Sequence, residues 1–420
     1  MNIKKTFHIV LLLFSLLIVS CTEPYALQTE TFESALVIEA TITDEYKLQE
    51  IKLSRTYRLE EDGPDTEVGA VVYVTDNNGN QYNFSGSGDK YVSQQAFAAV
   101  PNVNYQLHII TADGKTYTST TEKMSSLTDI NELKPIVGTN QNGETGVQIM
   151  AKSTKTSENT EYYRFEYEET HKIIAPHWIA ERGVAVYYNP PPLTYDTPPG
   201  YLYMEPWPYE AKICYTTEKS KEINISNTSL NSSNSSVNLV QFIKNNDYKI
   251  ANRYSIEVTM YNESLAANNY FEALKMSASN GNLLSQNQPG FFSGNIKNAT
   301  TPTEKVIGFF DVVHVSKQRI FFNYEETFPN QQKPDYPYYC PEINPFNENE
   351  FKFSNCFCFP GGPTPCPTNP SCSGDFILGS IRDRIKSVYR YGLTEVYLTN
   401  IQCGDCTSFS SNIRPSFWVD

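Results

Sequence analysis

Positive charge is scarce in this chain. Its 33 Lys and Arg stand against 47 Asp and Glu, a net charge of −14. Nucleic-acid binding is dominated by phosphate neutralisation, so this balance argues against it. It argues equally against electrostatic adhesion to anionic lipid. Histidine is scarcer still, with five in 420 residues. No serine sits in a Gly-x-Ser-x-Gly elbow, and no glycine-rich loop opens a helix in the arrangement that cradles phosphate. A glycosidase-type carboxylate pair is not excluded, because it leaves no sequence signature. Past the first 20 residues there is no apolar stretch near the roughly 20 residues that span a bilayer.

What is present begins at the N-terminus. Lys4 and Lys5 precede a short apolar run over residues 11–19, and Ile18-Val19-Ser20-Cys21 follows. A charged start, an apolar core and a small residue before the cut describe an export signal. A cysteine at the cut makes it a bacterial lipoprotein signal. Residues 1–20 are then the signal peptide, Cys21 carries lipid on its sulfur, and polar residues 21–32 form a tether. The mature chain keeps 31 basic and 47 acidic residues, a net charge of −16. About 400 residues suffice for two or three domains.

Eight cysteines remain: Cys214, Cys340, Cys356, Cys358, Cys366, Cys372, Cys403 and Cys406. An even number in an exported chain reads as up to four disulfides, with about a hundred pairings open. Seven of the eight lie beyond residue 339, so the cross-links staple the C-terminal region. A zinc cluster of Cys356, Cys358, Cys403 and Cys406 is the competing arrangement.

Patterning is mostly β. Residues 33–125 read as an immunoglobulin-like β-sandwich. Ala35 to Ala40 opens it, and Val71-Val72-Tyr73-Val74 and Gln81-Tyr82-Asn83-Phe84 flank an Asn-Gly turn, a hairpin signal. Asp76, Asn78 and Asn80 have the spacing of a calcium loop. Gln81 stands where that loop needs glycine and Ser87 where it needs an acid, so the segment reads as a turn. Residues 126–420 read as a larger β-rich domain. Tyr163, Phe165 and Tyr167 alternate with Tyr162, Arg164, Glu166 and Glu168, and Tyr254, Ile256, Val258 and Met260 alternate with polar neighbours. Ser387 to Leu398 reads as one further strand. A single packing helix spans 264–279, with Ser264 as N-cap, Asn280-Gly281 as stop, and Ala266, Tyr270 and Leu274 on one face. A cysteine-rich insert occupies 328–373.

The segment 187–209 is crowded with proline and reads as a stiff extended loop. Tyr188, Tyr195, Tyr201, Tyr203, Trp207 and Tyr209 are interleaved with those prolines. Tyr and Trp give large contact area at low entropy cost, so this loop is the candidate contact surface. The alternative is that the rings fold back over the core. His171 and His177 fit no familiar ligand spacing, and His314 sits inside a strand pattern. No metal site, cofactor or catalytic residue is assigned.

Several stretches together resemble a known family. They are the lipoprotein cysteine, Gly69-Ala70-Val71-Val72-Tyr73-Val74, Tyr162 to Thr170, Cys214-Tyr215, Arg253-Tyr254-Ser255-Ile256, Gly294-Asn295-Ile296, Val306-Ile307-Gly308-Phe309-Phe310, Cys403-Gly404-Asp405-Cys406 and Arg414-Pro415-Ser416-Phe417-Trp418. Their order resembles the Bacteroidetes outer-membrane lipoproteins filed as domain of unknown function 4249. Tyr215 departs from the tryptophan of that pattern, and the cysteine-rich insert is longer. The resemblance implies an outer-membrane lipoprotein encoded near TonB-dependent receptors, with no catalytic residues to carry over. The expectation is a non-enzymatic accessory or ligand-capturing subunit working with a TonB-dependent transporter, its only other partner the membrane lipid at Cys21. The alternatives are a surface hydrolase using carboxylates and a structural or adhesive envelope protein. Which membrane face it occupies stays open.

Overall fold

The computed structural model describes residues 34–58, 61, 63–155, 159–189, 200–229, 235–279, 294–343, 376–392 and 396–420. The signal and tether with Cys21, Tyr195, the helix stop at 280–281, and Cys356, Cys358, Cys366 and Cys372 lie outside them. No described helix is long and apolar enough to cross a membrane.

The first unit contains β1 (Leu36–Thr43), β2 (Glu50–Arg55), β3 (Val71–Asp76), β4 (Gln81–Ser87), β5 (Lys90–Ser93), β6 (Tyr105–Ile110) and β7 (Thr116–Ser119). They pair in the order β1-β2-β5-β4-β3-β6-β7. The β3–β4 turn forms as its sequence predicts. The Asp76 carboxylate accepts the Asn78 and Asn80 backbone N–H groups, each at 2.9 Å, and the Asn80 side chain at 2.8 Å. Its oxygens therefore serve the turn.

Two strands from far along the chain complete this unit. β17 (Ile296–Asn298) pairs with β7, and the first half of β18 (Val306–Asn323) runs parallel to β1, from Leu36↔Val306 to Thr43↔Val313. Asn295 closes the ring by imitating a strand. Its side chain donates to Phe310 O and accepts from Phe310 N, each at 2.8 Å. Glycine is required where backbones meet here. A Cβ on Gly294 would lie 1.5 Å from Gly308 O, and one on Gly308 (φ +149°) would lie 2.3 Å from Ile38 O. Inside the ring are Ile38, Ile42, Val74, Leu107, Tyr117 and Phe310.

β18 then continues into the second unit as a single strand of 18 residues. Its second half pairs with β16 (Arg253–Glu263), β16 with β10 (Tyr162–Ile174), and β10 with β13 (Ile213–Lys219) and β14 (Asn224–Asn227). Facing this sheet is another of β8 (Ile130–Thr139), β9 (Thr145–Thr154) and β15 (Ser235–Lys244). Between them lie Leu133, Val147, Ile149, Tyr163, Phe165, Tyr254, Ile256 and Phe322. The alternation in residues 162–168 is the reason: Tyr163 and Phe165 enter this core while Arg164 and Glu166 point to the opposite face. Part of that opposite face is covered by the C-terminal segment. Trp418 packs against Tyr215 and Phe321 at ring distances of 5.0 and 5.7 Å, and the Arg319 guanidinium stacks 3.6 Å over Phe417.

A third cluster joins β11 (Glu181–Tyr187) and β12 (Gly200–Pro206) to the helix Phe376–Arg382 and to β19 (Lys386–Tyr391) and β20 (Val396–Asn400). Leu202, Leu378, Val388 and Leu398 form its core. Two sequence expectations change here. Residues 200–206 form a strand rather than loop, tolerated because β12 has one partner and Pro206 ends it. Residues 387–398 are two antiparallel strands with a register shift between Val388 and Arg390, not one. Disulfides Cys214–Cys406 and Cys340–Cys403 tie this region together. Each cysteine of the Cys403-x-x-Cys406 motif is thus bonded to a distant partner, which removes both from the zinc arrangement. The mostly β class, with a disulfide-bearing C-terminal region, is as the sequence indicates.

The helix is Leu265–Ser279, and the Ser264 side chain caps it by accepting Ala267 N at 3.1 Å. Its buried face is rotated from the expected one. Ala267 and Asn268 are buried while Ala266 is exposed, and Tyr270, Phe271 and Leu274 are half-buried.

Candidate functional site

Where the first unit meets the helix lies a cleft of about 990 Å³. Its floor is the outer face of β2, β1 and β18. Successive strand residues point to opposite faces, so Leu36, Ile38 and Ile42 fill the first core while Val37, Glu39 and Thr41 face outward. Phe309 and Ile307 stand beside them on β18. One wall is built by Tyr270, Phe271 and Leu274 of the helix with Arg164, Glu166 and Tyr261 of the second unit; residues 220–223 also line it.

Arg164 holds that wall together. Its Nε donates to Glu263 Oε1 at 2.7 Å, and a terminal nitrogen donates to Glu166. The guanidinium lies 4.3 Å from the Tyr261 ring centre and 4.7 Å from that of Phe271. Tyr261 donates to Glu166 at 2.9 Å, and Asn268 of the helix donates to Glu263 Oε2 at 3.3 Å. One cation therefore joins β10, β16 and the helix. A buried charge survives only when compensated in this way.

Burial pushes the Glu263 carboxyl up despite Arg164 beside it. Deeper lies Asp311, 2% exposed. Its Oδ1 accepts Val312 N at 3.0 Å and its Oδ2 has no partner among the described residues. Burial, with the nearby Glu263 charge, pushes Asp311 up to about 8. In the cleft itself, burial and the charge of Glu39 push the Tyr270 phenol up to about 12. It stays protonated and is a donor at neutral pH.

The rim charges are mostly paired: Lys90 with Glu50 at 2.7 Å, Lys47 with Glu45 at 2.6 Å, and Lys52 with Asp89 at 3.9 Å. Glu39 on the floor has no ion-pair partner among the described residues.

The described members of the aromatic set singled out in the sequence lie elsewhere. Tyr188 and Tyr203 are 48% and 49% exposed near and on the β11–β12 hairpin. Tyr201 is half-buried, with its ring 6.0 Å from that of Tyr188. Trp207 and Tyr209 are tied inward: Trp207 Nε1 donates to Ile179 O at 2.8 Å, and the Tyr209 hydroxyl donates to Asp405 at 3.0 Å. None of these lines the cleft. The histidines also stay apart. His171 is buried against Tyr248, and burial pushes it down to about 4, whereas His177 stacks on Tyr389 and meets Thr399. Among the described residues no three His, Cys, Asp or Glu side chains converge as a metal ion needs.

Nothing in the local sequence pattern marks the cleft. Arg164 and Glu166 were visible as the polar side of an alternating strand, but Glu39, Phe309 and Tyr270 come from segments that only the topology unites.

Residues 22–319 match the family described as domain of unknown function (DUF4249). The chain belongs to this family. Among curated proteins nothing matches. Every residue lining the cleft falls within the DUF4249 match, since they run from Val37 to Phe309. Cys340, Cys403, Cys406, β19, β20 and the C-terminal segment lie beyond it.

Proposed function

We propose that the chain is a non-enzymatic binding subunit of the outer membrane. It is lipid-anchored through Cys21, captures a ligand in the cleft, and works beside a TonB-dependent transporter. The cleft carries this reading. It is concave, lined by aromatic and polar groups in the manner of ligand sites, and walled by a preorganised Arg164 clamp. Its charges are largely held in pairs, which suits holding a ligand better than moving a proton. The export signal read over residues 1–20 supports that location, and the acidic composition suits solubility at a surface.

A hydrolase using two carboxylates is the second reading, and Glu263 with its raised pKa is what favours it. Glu263 is sealed, however: its side chain is inaccessible, and its two oxygens are taken by Arg164 and Asn268. It cannot reach a substrate without breaking the clamp.

The test is affinity purification of the full-length tagged protein from native membranes in mild detergent. Recovery of a TonB-dependent transporter in stoichiometric yield, lost in Cys21→Ala, is expected. A membrane-anchored protein that brings no transporter contradicts the proposal.

A further inference from the structure

We infer that the cleft selects an organic ammonium group, with Glu39 as its counter-ion and the rings of Tyr270 and Phe309 as its apolar surround. This inference rests on the cleft being the ligand site. Three observations lead to it.

First, the lining charges differ in whether they are free. Arg164 is occupied by Glu263 and Glu166, Lys90 by Glu50, and Lys47 by Glu45. An anionic ligand would compete with a carboxylate at each of these three cations; Lys221 and Glu222, exposed at the rim, also have no ion pair among the described residues. Glu39 is an exposed carboxylate with no ion pair among the described residues.

Second, Glu39 stands in an aromatic setting. It is in register with Phe309 on β18, and the Tyr270 ring lies 5.7 Å from that of Phe309, close enough to Glu39 to feel its charge. A cation over Tyr or Phe faces is attracted by the ring quadrupole, and more strongly when partly desolvated.

Third, the local competitor is weakly committed. Lys52 is directly opposite Glu39 on β2, yet its ammonium is directed to Asp89, at 3.9 Å. An incoming ammonium therefore meets an available carboxylate, and Lys52 acts as a repulsive neighbour that limits affinity. The net charge of −14 draws cations toward the surface in general.

The experiment is calorimetric titration of the protein with three probes of one shape: phenethylammonium, phenylethanol and phenylacetate. Binding of phenethylammonium alone is expected. Glu39→Gln weakens it by about tenfold or more, the loss of one charge-assisted contact. Lys52→Ala tightens it, while Lys90→Ala leaves it within about twofold. Both Glu39 and Lys52 are solvent-facing, so unchanged melting temperatures check that the variants fold. Equal binding of the three probes, preference for phenylacetate, no binding of any probe, or indifference to Glu39→Gln each overturns the inference. Binding of the neutral or anionic probe that Phe271→Ala abolishes would retain the cleft as a ligand site while rejecting the ammonium. Recovery of the transporter bears on the membrane reading alone.

Discussion

Replacing Asp311 by Asn should stabilise the protein at neutral pH. The Asp311 carboxyl is buried beside Glu263, and its pKa is raised from 3.8 to about 8. The folded state therefore holds a proton that the unfolded chain releases above pH 3.8. Stability must fall as pH rises from there to about 8. A tenfold change in proton affinity is worth about 1.4 kcal/mol, so near pH 7.5 the penalty reaches about 5 kcal/mol. Asparagine removes it. Its Oδ1 can keep the hydrogen bond from Val312 N, but its amide adds an N–H with no partner, which costs about 1–3 kcal/mol. The net expectation is a gain of about 3 kcal/mol at pH 7.5 and a loss of about 1–3 kcal/mol near pH 4. Urea unfolding of both proteins at the two pH values reads this difference. A variant destabilised equally at both pH values would refute the reasoning, because it would mean that Asp311 is ionised and compensated in the fold.

Other perturbations test other joints. His314 links the units: Nδ1 meets Asp44 at 2.5 Å and Nε2 meets Asp129 at 3.2 Å. Its pKa is raised first by the Asp44 hydrogen bond, so its contribution is complete below the unfolded value of 6.5 and lost as pH rises through the folded value. His314→Gln should cost about 1 kcal/mol at pH 6 and less at pH 9, measured by thermal melts. Gly308→Ala drives a Cβ into Ile38 O at a positive φ and should cost roughly 2–4 kcal/mol in denaturant titrations. The Cys214–Cys406 bridge spans 192 residues, and its loss in Cys406→Ser should cost about 5 kcal/mol through unfolded-state entropy. Mass spectrometry of the unreduced digest should yield the Cys214–Cys406 and Cys340–Cys403 peptide pairs; free thiols at those positions contradict the linkage.

How much of this could be read from the chain depends on distance along it. The Asp76–Asn80 turn, the Tyr163/Phe165 alternation and the Ser264 cap are local, and their physics acts within a few residues. The partnership of β1 with β18 is not local. It joins Leu36 to Val306, and alternation in either strand says which face is buried, never which strand lies beside it. The same holds for Asn295, whose strand-like side chain looks like any asparagine until Phe310 is placed beside it. The number of cysteines implies bridges but not their partners, because spacing does not encode proximity. In the aromatic-proline segment, residues 200–206 form a short edge strand that the proline density around them conceals. The cleft was invisible for a further reason: Glu39, Arg164, Tyr270 and Phe309 each have an ordinary local role, and only their convergence makes a site.

An anchored binding subunit requires the chain to leave the cytoplasm with lipid at Cys21. Metabolic labelling with a radioactive fatty acid tests this directly. The labelled acyl chain should appear on the wild-type protein, vanish in Cys21→Ala, and accompany loss of residues 1–20. An unlabelled polypeptide that still begins at Met1 would contradict the anchored binding subunit described above.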